Sequence, residues 1–87
     1  MNWLVYIILC SDGSLYTGIT NDIERRLRQH ASQNGAKYFR GRQPGPVVYL
    51  EQGHDRSSAS RREAAIKKLS PQAKRRLIAE HAVGADK

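Results

Sequence analysis

The stretch YIILCSDGSLYTG, residues 6–18, limits what this chain can become more than any other, because it sets a polar turn signal between two β-branched and aromatic runs. NWLVYIILC and LYTGI read as the two strands of a hairpin around that turn. Turn length decides which residues share a face, since side chains alternate along a strand and a slip of one residue exchanges the faces. A two-residue Asp12-Gly13 loop opposes Tyr6 to Ile19 and mixes polar and apolar residues on both sides. A three-residue Ser11-Asp12-Gly13 loop, with Gly13 in the left-handed position of a G1 bulge, opposes Tyr6 to Gly18 and Ile8 to Tyr16. Val5, Ile7, Leu9, Leu15, Thr17 and Ile19 then form a core surface, and Tyr6, Cys10, Ser14, Tyr16 and Gly18 share the other face. The three-residue loop is therefore the expected one.

Beyond the hairpin, Asn21 with Glu24 forms a loose capping box that opens a helix over about residues 22–32, with Ile23, Leu27 and Ala31 as its apolar stripe. On its wheel His30 falls within about 20° of Ile23 and Arg26 about 60° away, whereas Arg25 and Arg28 point elsewhere. Asn34-Gly35 ends the helix, and GAKYFRGRQPGP reads as a surface loop. VVYLEQ, residues 47–52, is the third strand and residues 53–56 a turn. A helix over residues 57–69 brings Ala59, Glu63 and Ile66 together on one side, setting a carboxylate beside its apolar stripe. Ser70-Pro71 fits an N-cap with proline at the first helical position, opening a last helix with Ala73, Leu77 and Ile78. The order β-β-α-β-α-α describes one α+β unit, a three-stranded antiparallel sheet flanked by helices over residues 1–82, with residues 83–87 as a flexible tail.

Eighty-seven residues allow one core, since a chain of this size buries only about 60–65 % of its unfolded surface. Cys10, the single cysteine, lies in an apolar run; a structural disulfide is excluded within the chain and a reducing cytoplasm is expected. No apolar segment approaches the roughly 18 residues of a membrane span, and residues 1–10 lack the pattern of a signal peptide. Fifteen basic residues against eight acidic ones give a net charge of +7, which makes a polyanion such as nucleic acid the default partner.

No G-x-x-x-x-G-K-[ST], G-x-G-x-x-G or H-E-x-x-H is present. The acidic residues are scattered singly, which disfavours a two-metal core, although one carboxylate with waters and a substrate phosphate suffices for a single Mg²⁺.

Val5-Tyr6-Ile7, Tyr16-Thr17-Gly18, Arg26, His30 one turn later and Glu63 on a downstream helix, in this order and spacing, resemble the GIY-YIG nuclease superfamily. The chain is most similar to its small stand-alone bacterial members, through LYTGITNDIERRLRQH, GAKYFRGR and AIKKLS, and the likeness covers nearly the whole chain. It departs in lacking the leading glycine of the first tripeptide and a recognisable late polar residue after the glutamate helix.

The resemblance implies that Tyr16 activates or positions the attacking water, with Tyr6 supporting it, Arg26 gripping phosphate and lowering a tyrosine pKa, and His30 serving as rival base or proton relay. Glu63 is implied as the ligand of Mg²⁺ or Mn²⁺, and Gly18 as the space opposite Tyr6. Each has a plainer alternative: half-buried packing for the tyrosines, a snorkelling arginine for Arg26, a satisfied core histidine for His30 and a solvated helix charge for Glu63. Lys37, Tyr38, Arg40 and Arg42, with Phe39, interleave charge and aromatic rings as a surface for unpaired bases does. Arg62, Lys67 and Lys68, with neighbouring helical bases, suit duplex phosphates, or simply keep the protein soluble.

The expected activity is Mg²⁺-dependent DNA endonuclease cleavage, selective for branched, flapped or single-stranded structure rather than for sequence, in repair or recombination. RNA is a further substrate class, and a protein partner is a candidate for substrate selection. The competing expectation is a nucleic-acid-binding module of the same fold without turnover.

Overall fold

The computed structural model describes residues 2–31 and 44–85. The elements are β1 (Trp3–Cys10), β2 (Leu15–Thr20), α1 (Ile23–Ala31), β3 (Pro44–His54), α2 (Arg56–Lys67) and α3 (Pro71–Ala85). The strands form one antiparallel sheet in the order β2-β1-β3, so the fold is α+β with the first strand central.

The hairpin closes through three residues, as expected. Tyr6 stands opposite Gly18 and Ile8 opposite Tyr16, and Gly13 takes a φ of +86° that non-glycine residues avoid. Cys10 N–H donates to the Ser14 carbonyl at 2.9 Å, and Gly13 N–H donates to the Cys10 carbonyl at 2.9 Å. Asp12 Oδ1 accepts from both the backbone N–H (3.0 Å) and the hydroxyl (2.6 Å) of Ser14, stiffening the turn.

Both faces of the sheet are covered. Val5 and Ile7 pack with Tyr49, Ala59 and Ile66, against which Leu77 and Ile78 of α3 also lie. On the other face Tyr6, Ile8 and Cys10 meet Tyr16, Val47 and Leu50, with Ile23 and Leu27 of α1 packed over them. Leu9, expected in the core, is instead 37 % exposed, whereas Cys10, nearer the turn on the opposite face, is buried.

Local chemistry moves several expected boundaries. Asp22, not Asn21, caps α1: its Oδ1 accepts from Arg25 N–H at 3.1 Å. Thr20 Oγ1 accepts from Asp22 N–H and donates to the Asp22 carbonyl, which holds residue 22 at the cap position. β3 is longer than the expected 47–52 and absorbs part of the expected turn. Trp3 pairs with His54 but Val5 with Glu51, leaving one extra residue on β3 where Gly53 has a φ of +84°. A second irregularity between the Ile7–Tyr49 and Ile8–Val47 pairs lets the consecutive Val48 and Tyr49 both pack on the Val5 side. Asp55 then caps α2, accepting from Ser58 N–H at 2.7 Å while Ser58 Oγ accepts from Asp55 N–H at 3.2 Å. Ser70 caps α3 as expected, accepting from Ala73 N–H at 3.1 Å, and α3 continues to Ala85, past the expected start of the tail.

Gly53→Ala forces a Cβ into the left-handed region and is expected to cost roughly 1–2 kcal/mol. Asp55→Ala removes a cap worth about 1 kcal/mol. Urea unfolding of both variants against wild type measures these losses.

Candidate functional site

The hairpin register places Tyr6 and Tyr16 on one face, their ring centroids 6.2 Å apart and their planes tilted by 46°. Tyr6 is 1 % exposed, while Tyr16 is half-buried. The close approach of the rings depends on Gly18. A Cβ there would stand 2.6 Å from Tyr6 Oη, 2.7 Å from its Cζ and 3.1 Å from Tyr16 Cε2.

Burial first, then the nearby Tyr16, push the Tyr6 phenol far above its ordinary pKa of 10; Glu63 and a side-chain hydrogen bond with Tyr16 also raise it, while Arg26 pulls it down. Tyr6 is thus a neutral hydroxyl at any physiological pH. The same balance locates two further expected residues, since the charges of Arg26 on α1 and Glu63 on α2 both reach this phenol. Tyr6, Tyr16 and Gly18 are in contact, and Arg26 and Glu63 lie within electrostatic reach of them. His30 lies one turn after Arg26 in α1, and its side chain is outside the described residues.

Glu63 is partly exposed, with Lys67 Nζ 3.2 Å from its Oε2. Among the described residues no three His, Cys, Asp or Glu side chains form a group able to hold a metal ion. The donor chemistry still fits one hard dication, because magnesium keeps several waters and is bound by one or two carboxylates together with substrate phosphate.

The basic residues divide. Lys37, Tyr38, Arg40 and Arg42 lie outside the described residues. Lys68 is exposed and Lys67 is paired with Glu63. Arg62, expected at duplex phosphate, is engaged elsewhere: its Nε donates to Glu51 Oε1 at 3.2 Å and Oε2 at 3.1 Å. Glu51 also accepts from Tyr49 Oη at 2.6 Å and lies 2.6 Å from His54 Nε2, while His54 Nδ1 lies 2.9 Å from Ser58 Oγ. The sequence reading missed this network and gave His54 no role. The Tyr-x-Glu-x-x-His spacing across a Gly53 bulge was its available signal.

The model of the GIY-YIG catalytic domain matches residues 2–77. The chain belongs to the GIY-YIG family. As a GIY-YIG protein it carries a catalytic domain of nuclease type, in a family whose nucleases act on DNA. It is 56 % identical over 77 residues to a UPF0213 protein of Desulfotalea psychrophila, covering 87 % of this chain and 70 % of that protein. A UPF0213 protein of the archaeon Natronomonas pharaonis is 46 % identical over 76 residues, with coverages of 87 % and 89 %. The solution NMR structure of the UPF0213 protein BH0048 from Bacillus halodurans superposes with a TM-score of 0.58 at 46 % identity, covering 91 % of this chain and 84 % of that one. This GIY-YIG domain shares its three-stranded sheet and helices with that structural neighbour. No helix among the described residues is long and apolar enough to cross a membrane.

Two outcomes follow from the site and its neighbouring network. Gly18→Ala is expected to displace the Tyr6 hydroxyl, read as altered near-ultraviolet tyrosine signals in a folded protein. Burial alone would raise the Glu51 pKa, but bonds from Tyr49 and His54 with the Arg62 charge hold it below its ordinary 4.5. A carboxylate depressed on folding stabilises the fold above its unfolded pKa and loses that contribution as pH falls through the folded value. Wild type should therefore lose stability faster than Glu51→Gln as pH is lowered below 4.5, as urea midpoints across that range would register.

Proposed function

We propose that this protein is a metal-dependent DNA endonuclease that hydrolyses phosphodiester bonds and selects DNA by structure rather than by sequence, with a role in repair or recombination. The observation that supports this reading is the Tyr6–Tyr16 pair, which the missing side chain of Gly18 lets pack closely, with the charges of Arg26 and Glu63 in electrostatic reach of it. A deeply buried neutral Tyr6 suits a hydrogen-bond donor that orients Tyr16, and the more exposed Tyr16 suits the group that positions the attacking water. Arg26 supplies a planar cation for the scissile phosphate. Glu63 would hold Mg²⁺ or Mn²⁺, which when bound contributes positive charge at the phosphate and the leaving 3′ oxygen. Water adds to phosphorus and the bond to the 3′ oxygen breaks. The water's proton leaves to His30, or to Tyr16 as Tyr16 passes its own phenol proton on. The 3′ oxygen takes a proton from solvent, leaving a 5′ phosphate and a 3′ hydroxyl. With a +7 chain, binding is mostly electrostatic, which favours recognition of shape over bases.

The test is cleavage of labelled linear, nicked, flapped and branched DNA and of an RNA control, with Mg²⁺ or Mn²⁺ and with a chelator. Glu63→Gln and Arg26→Ala are expected to lower the rate by at least about 100-fold, and Tyr6→Phe by about tenfold, the worth of one hydrogen bond. Equal cutting by Glu63→Gln and wild type would sink the assignment. Salt-sensitive binding without any cutting would mean a binding module instead, and a single preferred cut sequence would overturn shape selection.

A further inference from the structure

Thr20, Asn21, Asp22, Arg25, Arg26 and Gln29 line a polar recess of about 240 Å³ where β2 passes into α1. Arg26 belongs both to this recess and to the tyrosine site, since its charge also reaches the Tyr6 phenol. The strand fixes how the two are spaced. Tyr16, Gly18 and Thr20 lie on one face of β2, opposite Ile8, Tyr6 and Leu4 in an unbroken register. Two residues of antiparallel strand advance roughly 7 Å, close to the separation of neighbouring phosphates along an extended nucleic-acid strand. A strand whose scissile phosphate sits beside the partly exposed Tyr16, in reach of Arg26, brings a neighbouring phosphate toward the recess that Arg26 also lines.

The lining suits an anion. Asp22 accepts the Arg25 N–H it caps and keeps one negative charge in the lining, against two guanidiniums, and Thr20 Oγ1 is tied to the Asp22 backbone. The other groups are two guanidiniums and the amides of Asn21 and Gln29, so hydrogen-bond donors and positive charge predominate. Arg25 is exposed, and its backbone rather than its side chain makes the cap. The helical wheel turns Arg25 away from the apolar stripe, so no role for it was visible in the sequence.

We propose that the recess is a subsite for the phosphodiester adjacent to the scissile one, with Arg25 as its principal cationic contact. The proposal rests on the nuclease reading above and adds a specific strand-binding position to it.

The experiment measures anisotropy of a labelled flapped DNA in chelator, so that no cutting intervenes, across a salt series for wild type, Arg25→Ala and Arg28→Ala. Arg25→Ala preserves the cap, and a matching circular-dichroism melt checks that it does. The expected result is binding weakened by roughly tenfold, with the slope of log K against log salt reduced by about 0.7–0.9, and a smaller change for Arg28→Ala. Scanning single methylphosphonates next to the cut site should find one position that weakens wild type but costs Arg25→Ala nothing further, the signature of a direct pair. In cleavage assays Arg25→Ala should raise KM with little change in kcat. Wild-type affinity and slope in Arg25→Ala, or equal methylphosphonate penalties in both proteins, overturn the subsite while leaving the nuclease reading intact if wild type still cuts. A wild type that neither binds nor cuts any DNA overturns both.

Discussion

The Tyr6 phenol occupies space that a side chain at position 18 would need, and the rest of the site depends on that contact. It requires Tyr6 to face Gly18, which requires a three-residue turn, which in turn requires Gly13 to adopt a left-handed backbone. A slip of one residue would send the two tyrosines to opposite faces and carry the Val5 and Ile7 side chains out of their core. Core formation and site assembly are thus one constraint, and the burial energy of the apolar face holds the tyrosine pair in register.

The two faces of the sheet serve different ends. One buries Tyr6 beneath α1, and that burial keeps the phenol protonated. The other anchors α2 through Ala59 and Ile66, and its helix start is held by the Asp55–Ser58 capping box. Glu51 gathers Tyr49, His54 and Arg62 on this side, so Arg62 is tied to β3. Its neighbour in the chain, Glu63, has its charge felt across the site. The bulges in β3 are what let this strand serve both faces: they place Val48 and Tyr49 together on one side and turn the chain at Gly53 into the capped helix.

Under the proposed nuclease reading, the site acts by arrangement of charge more than by a reactive side chain. Arg26 and Glu63 act on the Tyr6 phenol in opposite directions, and desolvation exceeds both. A neutral donor beside a more exposed phenol, with a cation and a carboxylate in reach, is a constellation suited to holding a phosphodiester and directing water at it. The polar recess that Arg26 also lines continues from the end of β2 into α1.

Short-range information determined the element order, the turn, the hairpin register and the Ser70 cap, because alternation, glycine and capping residues act over a few neighbours. Tyr6, Tyr16, Gly18, Arg26 and Glu63 were singled out by the resemblance of their order and spacing to the GIY-YIG pattern; local period alone left each with a plainer packing or surface role. The Asp22 cap was misplaced by one residue because the side chain that fixes it, Thr20, belongs to the preceding strand. The extent of β3 and the burial of Ile8 and Cys10 beneath α1 were decided by partners distant in sequence. So was the diversion of Arg62 from solvent to Glu51, eleven residues earlier. The physical reason is that period and propensity specify which way a side chain leaves its own backbone. Only the packing of separate elements specifies what it meets there, and therefore whether a charge faces a ligand or is spent on a neighbour.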